Sequence, residues 1–160
     1  MKQQNKTTID FEKIYDSYAP MLYRLALSNT TSREDAEDVV QDVFCKLMDH
    51  LDTFSNESHM RAWLVRVTIN QSHDVIRRNG VRQYQQLDEM AEQLSKEDEL
   101  PEIYEHLKQL PGKYRSVLVL HYLEGYNVRE IAGMLRLTQS AIKMRLSRGR
   151  DLLKSLIVDI

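Results

Sequence analysis

Residues 110–153, LPGKYRSVLVLHYLEGYNVREIAGMLRLTQSAIKMRLSRGRDLL, read as three helices, and the connection between the last two is too short for anything but a helix-turn-helix. Asn127 is a favourable N-cap, and Glu130 three residues later completes a capping box. Ile131, Ala132 and Leu135 form the apolar stripe of a short helix. Thr138 caps the next helix, whose inner face is Ile142, Leu146, Gly149, Leu153 and Leu156. Its outer flanks carry Lys143, Arg145, Arg148, Arg150 and Lys154. A short helix, a brief turn and a longer basic helix suit placement of one helix in a DNA major groove. The plainer alternative is a packed helical hairpin with a solvated charged face. Charge separates the two: residues 136–154 hold six Lys/Arg against one Asp, while the whole chain is at −2. A locally basic helix in a weakly acidic protein points to an anionic partner.

The remaining 110 or so residues bear on how that element is carried. At 160 residues the chain suits one domain or two small ones. An apolar content of 42% supports a folded core, and 29% charge supports a solvated surface. The single cysteine, Cys45, excludes an internal disulfide, fits a reducing compartment and falls off the apolar stripe of its helix. No run approaches 18 apolar residues, so no membrane insertion is expected. The opening MKQQNKTTID has no apolar segment of the signal-peptide kind. The expected location is cytoplasmic.

Strand signals are absent and Gly and Pro are scarce, so the chain reads as all-α. The first helix is expected over about 8–28, with Phe11, Ile14, Tyr15, Tyr18, Leu22 and Leu25 inward. Ser32 caps the second, whose inner stripe is Val40, Val43, Phe44, Leu47 and Leu51. Its outer face is a line of carboxylates, Asp35, Asp38, Asp42 and Asp49. A polar loop from Asp52 to His59 precedes a third helix over about 60–79, where Gly80 is placed to end it. Residues 81–100 carry two basic and six acidic residues and read as an acidic linker, with a helical piece around Tyr84–Leu94. Pro101 opens the second unit. The domain boundaries are therefore 8–80, 81–100 and 101–156.

Enzymatic chemistry is missing. The five histidines, His50, His59, His73, His106 and His121, show no metal-ligand spacing. There is no Gly-rich phosphate loop and no nucleophile elbow around a serine. No catalytic residue, metal or cofactor is expected.

Residues 32–51, SREDAEDVVQDVFCKLMDHL, together with AWLVRVTINQSHDVIRR at 62–78, resemble region 2 of bacterial sigma factors. The helix-turn-helix segment resembles region 4. With only these two regions on a short tether, the chain is similar to the extracytoplasmic-function (ECF) class of the sigma-70 family, over about residues 8–156. The resemblance implies two small helical domains, a region 2 bundle and a region 4 helix-turn-helix. It implies a non-catalytic specificity subunit that binds RNA polymerase core, at the clamp helices and the flap, and directs it to promoter DNA. An anti-sigma factor is a further implied partner.

Onto the polymerase-facing surface the resemblance carries Asp38, Gln41 and Asp42, where a row of carboxylates favours a basic partner. The −10 element falls to the 52–59 loop and third helix, with Ser55, Asn56, Ser58, Asn70, His73 and Arg77 as candidates. Holding an extruded base costs a few kcal/mol of unpairing, which polar loop groups offset. Asn70 and Asp74 lie near the core stripe and are equally readable as buried polar anchors, and Trp63 as core. For the −35 element, Gln139, Ser140, Lys143, Met144 and Ser147 face away from Ile142 toward base edges, and Arg145 and Arg148 suit phosphates. Departures from the family pattern are Arg136 at a turn position usually held by Gly, Gly149 in place of Ala, and Asp42 in place of Glu. Two rivals stand beside this reading: a helix-turn-helix transcriptional regulator, and a sigma-like interaction protein that sequesters polymerase.

Overall fold

Four short polar side chains mark where helices begin in the computed structural model, which describes the backbone of residues 2–97 and 101–158 and the side chains of 11–78 and 101–157. Ser32 Oγ accepts from the Asp35 N–H at 3.1 Å, and Asn56 Oδ1 from the His59 N–H at 2.8 Å. Asn127 Oδ1 accepts from the Glu130 N–H at 2.8 Å while Glu130 Oε1 accepts from the Asn127 N–H, the reciprocal box read from the sequence. Thr138 Oγ1 accepts from the Ala141 N–H at 3.1 Å. Each satisfies a donor that the first helical turn leaves without an intrahelical partner.

The helices are α1 (Lys2–Asn29), α2 (Arg33–Met48), α3 (Glu57–Glu97), α4 (Glu102–Lys108), α5 (Gly112–Leu118), α6 (Val128–Leu135) and α7 (Gln139–Val158). Among the described residues there is no strand. After α5 the chain continues through one wider turn, Val119–Leu123, in which the Glu124 N–H reaches back to the Val119 carbonyl. The third helix does not stop at Gly80: its backbone runs on to Glu97, through most of the acidic segment. One glycine inside a helix costs about 1 kcal/mol, and the Gln, Glu, Leu, Met and Ala that follow are good helix formers with no proline before Pro101.

Two helical units result. In the first, α1, α2 and α3 enclose Leu22, Leu25, Val39, Val43, Leu47, Leu64 and Val65, all essentially inaccessible to water. In the second, α5, α6 and α7 enclose Val117, Leu120, Ile131, Ile142 and Leu146. Truncating any of the leucines or isoleucines among these to alanine removes roughly 2–5 kcal/mol. The units are not separate beads. Their cores merge, with α1 packing on α4 and α5, and α3 packing on α6.

Arg115 of α5 helps to join them. Its guanidinium donates to the carbonyls of Ser28, Leu107 and Leu110 and to Asn29 Oδ1. A cation is thereby set at the C-terminal end of α1, where free carbonyls and the helix dipole favour it.

Two departures noted in the sequence have local explanations. Arg136 closes α6 in the left-handed conformation, at φ 58° and ψ 43°. A non-glycine residue there carries about 1 kcal/mol of strain. Gly149 is buried on α7 where a Cβ would stand 3.1 Å from Leu118 Cδ1 and 3.3 Å from Tyr114 Cβ. Glycine thus fits the close approach of α7 to α5, where an added methyl would press on both neighbours.

Candidate nucleic-acid and partner interfaces

The recognition-helix candidates sit on the exposed side of α7. Gln139, Ser140, Lys143, Met144, Ser147 and Arg148 are all exposed, opposite the buried Ile142 and Leu146. Met144 is 49% accessible, a large apolar group left in water where a thymine methyl could cover it. Arg148 lies beside the Tyr114 hydroxyl. Arg145 differs from its neighbours. It is half-buried and lines a cleft between α3 and the second unit.

That cleft, about 380 Å³, also receives two of the −10 candidates. Asn70 and His73 of α3 line it together with Gly112, Lys113 and Leu137. Asn70 and Asp74 are exposed, so neither is the buried anchor that the sequence left open; Gln71, bonded to Asp42 and Lys46, and Ser72, bonded to the Thr68 carbonyl, hold that role instead. His73 is half-buried against α5, with its ring 3.6 Å from where a Gly112 Cβ would stand. Burial lowers its pKa, and the Arg115 and Arg77 guanidiniums push the same way against the opposing pull of Asp74.

The loop candidates stand together at the start of α3. Ser55 Oγ is 3.2 Å from His59 Nδ1, and Asn56 caps the helix through Oδ1. That cap uses Oδ1 and leaves the amide NH2 of the exposed Asn56 as a donor. Ser58 and Arg77 are exposed, one near each end of the described face of α3. Trp63 is half-buried at the core edge, against His50 and Phe54.

On α2, Asp38, Gln41 and Asp42 are exposed in a row. Asp42 Oδ2 accepts from Gln71 Nε2 at 3.2 Å, and Gln71 Oε1 accepts from Lys46 Nζ. Gln41 borders a shallow groove between α1 and α2 with Tyr15, Tyr23 and Val40. The face therefore presents carboxylates beside a groove of mixed lining, in which Asp16 and Glu37 accompany the tyrosines and Val40. Cys45 is also exposed.

These two units correspond to two known sequence families placed in order. Residues 14–82 match the family described as sigma-70 region 2, and residues 100–153 the family described as sigma-70, region 4. The ECF RNA polymerase sigma factor SigW of Bacillus subtilis is 28% identical, with all of this chain and 96% of that protein aligned. The chain belongs to the sigma-70 family, in its extracytoplasmic-function class.

SigX of the same organism is 27% identical over 90% of this chain and 81% of its own length. Among solved structures, CnrH in complex with the cytosolic domain of CnrY superposes with a TM-score of 0.72. It is 29% identical over 93% of this chain and 88% of that one. The sigma factor RpoE, in complex with the anti-sigma factor NepR from Bartonella quintana, superposes at 0.71. At 24% identity over 92% and 96% of the two chains, that likeness speaks to the fold.

Several residues that organise this sigma factor carry no sequence signal. Arg24 and Glu124, a hundred positions apart, form an ion pair across the two units. Arg66 Nη1 donates to the Met134 carbonyl, Arg61 lies over the Tyr126 ring, and the Tyr126 hydroxyl donates to the Met21 sulfur. Separations of 65 to 105 residues leave no periodicity to read. No helix among the described residues is long and apolar enough to cross a membrane, and none of their His, Cys, Asp and Glu cluster as a metal site.

Proposed function

We propose that this sigma factor acts in the cytoplasm as a promoter-specificity subunit without catalytic activity of its own. Region 2 docks on the polymerase core and reads the −10 element, while region 4 reads the −35 element. The observation that supports this division best is the contrast between two exposed helix faces. One, on α2, presents Asp38, Gln41 and Asp42; the other, on α7, presents Lys143, Ser147 and Arg148 around Met144. An acidic face suits a basic protein surface, and a basic face suits phosphate. Ser55, Asn56, Ser58, Asn70, His73 and Arg77 are the proposed −10 set. An anti-sigma factor as partner accords with the RpoE structure, solved in complex with the anti-sigma factor NepR.

Reconstitution tests the reading. Core polymerase with the chain should transcribe a subset of a promoter library, and core alone should not. Asp38→Lys with Asp42→Lys should weaken core binding while the circular dichroism spectrum stays helical. Core binding without any transcription would favour a protein that sequesters polymerase.

A further inference from the structure

Between α3 and α6 lies a groove of about 620 Å³ whose walls belong to different units. Arg61 and Arg66 line one wall, and Arg129 and Arg136 the other. Glu130 is the one carboxylate among the groove residues. It is already engaged in the capping box, and Arg61 approaches it only to 3.8 Å. Among the described residues, no carboxylate forms an ion pair with Arg66, Arg129 or Arg136. Folding has therefore gathered four guanidiniums around one occupied acid.

We propose that this groove binds a free polyphosphate anion, whose phosphoryl groups bridge Arg66 of region 2 and Arg136 of region 4. Three observations converge on it. The first is that Arg61, the groove arginine beside Glu130, keeps a buried Nε with no hydrogen-bond partner, so its donors are not all used within the chain. The second is that Arg66 and Arg136 line the same groove from its two walls. Burial lowers the Arg66 pKa and the Arg136 charge lowers it further, a penalty that an intervening anion reverses. The third is the backbone of Arg136, held in the left-handed region where glycine would rest without strain. Strain of that kind is held in place by the surrounding structure and gathers at ligand clamps.

The class of ligand follows from shape and charge. Guanidiniums match phosphate oxygens with paired hydrogen bonds. The volume accommodates a short phosphate chain. Because each wall comes from a different unit, such a ligand would hold the two units together.

The test is calorimetric titration of the full chain with inorganic tripolyphosphate at 0.15 M salt, paired with thermal melting. One molecule should bind per chain and raise the melting temperature. Arg66→Gln should weaken binding at least tenfold. Arg136→Gly should do the same while raising the melting temperature of the free chain, so that loss of binding is not loss of fold. Lys143→Ala with Arg148→Ala should leave the affinity unchanged. Absence of saturable binding would overturn the proposal. So would an affinity that follows Lys143 and Arg148 instead of Arg66 and Arg136, which would put the anion on the recognition helix. Displacement of tripolyphosphate by a duplex oligonucleotide would also overturn it, since the groove would then be a nucleic-acid backbone contact.

Discussion

Arg24 on α1 grips Glu124 at the end of the wide turn through two parallel bonds, Nε to Oε1 at 2.5 Å and Nη2 to Oε2 at 2.9 Å. The Glu124 side chain is only 6% exposed, whereas Arg24 is 42% exposed. The pair holds region 4 against region 2. The −10 and −35 elements, centred about 25 base pairs apart by their names, are on the order of 85 Å apart along B-DNA at 3.4 Å per step. His73 and Arg145 line a single cleft here, so on the proposed assignment of the two units they would have to part before both elements are read.

Arg24→Ala should therefore lower stability by about 1–2 kcal/mol, because it leaves the Glu124 carboxylate buried without its partner, moderated by the exposure of Arg24. Small-angle scattering should show a more extended chain. Adding Glu124→Gln should recover part of the stability, since the stranded charge is then gone. An unchanged melting curve for Arg24→Ala would mean that the pair contributes nothing to closure.

The His73 environment predicts a pH dependence. Its pKa in the folded chain lies below the ordinary value of about 6.5, so the unfolded chain binds more protons in the window just under that value. Stability is then fully present above about pH 6.5 and falls as pH drops toward the depressed value. Urea unfolding at a series of pH values should show this slope. His73→Gln, which cannot charge between Arg115 and Arg77, should flatten it.

At Gly149, helix propensity and packing oppose one another. Alanine would gain about 1 kcal/mol in propensity, yet its Cβ would press on Leu118 and on the stiff Cβ of Tyr114. Overpacking of a buried helix contact costs about 1–3 kcal/mol. Gly149→Ala should come out destabilising by about 1 kcal/mol in urea melts. A stabilised variant would show that α5 gives way.

Asn56 combines a structural and a proposed reading role, and two substitutions separate them. Asn56→Ala removes the cap on α3 and should cost about 1 kcal/mol of stability. Asn56→Asp keeps an accepting oxygen for the His59 N–H but loses the amide donor. Its stability should hold while use of particular −10 bases falls by about 1–3 kcal/mol in a transcribed promoter library.

On α7 the same library should distinguish base contacts from phosphate contacts. Lys143→Ala should shift preference at individual −35 positions. Arg148→Ala should weaken all promoters alike and reduce the salt dependence by about one phosphate. A Lys143 variant that altered only −10 preference would reverse the assignment of the two units.

Local rules made much of this protein legible from its chain. Capping chemistry at Ser32, Asn127 and Thr138 and the spacing of Ile142, Leu146 and Leu153 depend on residues within a turn or two of one another, and the helices begin where those rules place them. The solvent-facing sides of α2 and α7 were readable for the same reason: a helix whose inner stripe is known has its outer face determined. The end of α3 was not, because Gly80 is a weak stop and the residues beyond it favour helix. Tertiary structure alone decided that the two units close on each other, that Asn70, His73 and Arg145 share a cleft, and that four arginines meet around Glu130. Those placements rest on pairs such as Arg24–Glu124 and Arg66–Met134, whose partners lie far apart in sequence. Such partners share no turn, stripe or cap, so their meeting is fixed only when the helices pack.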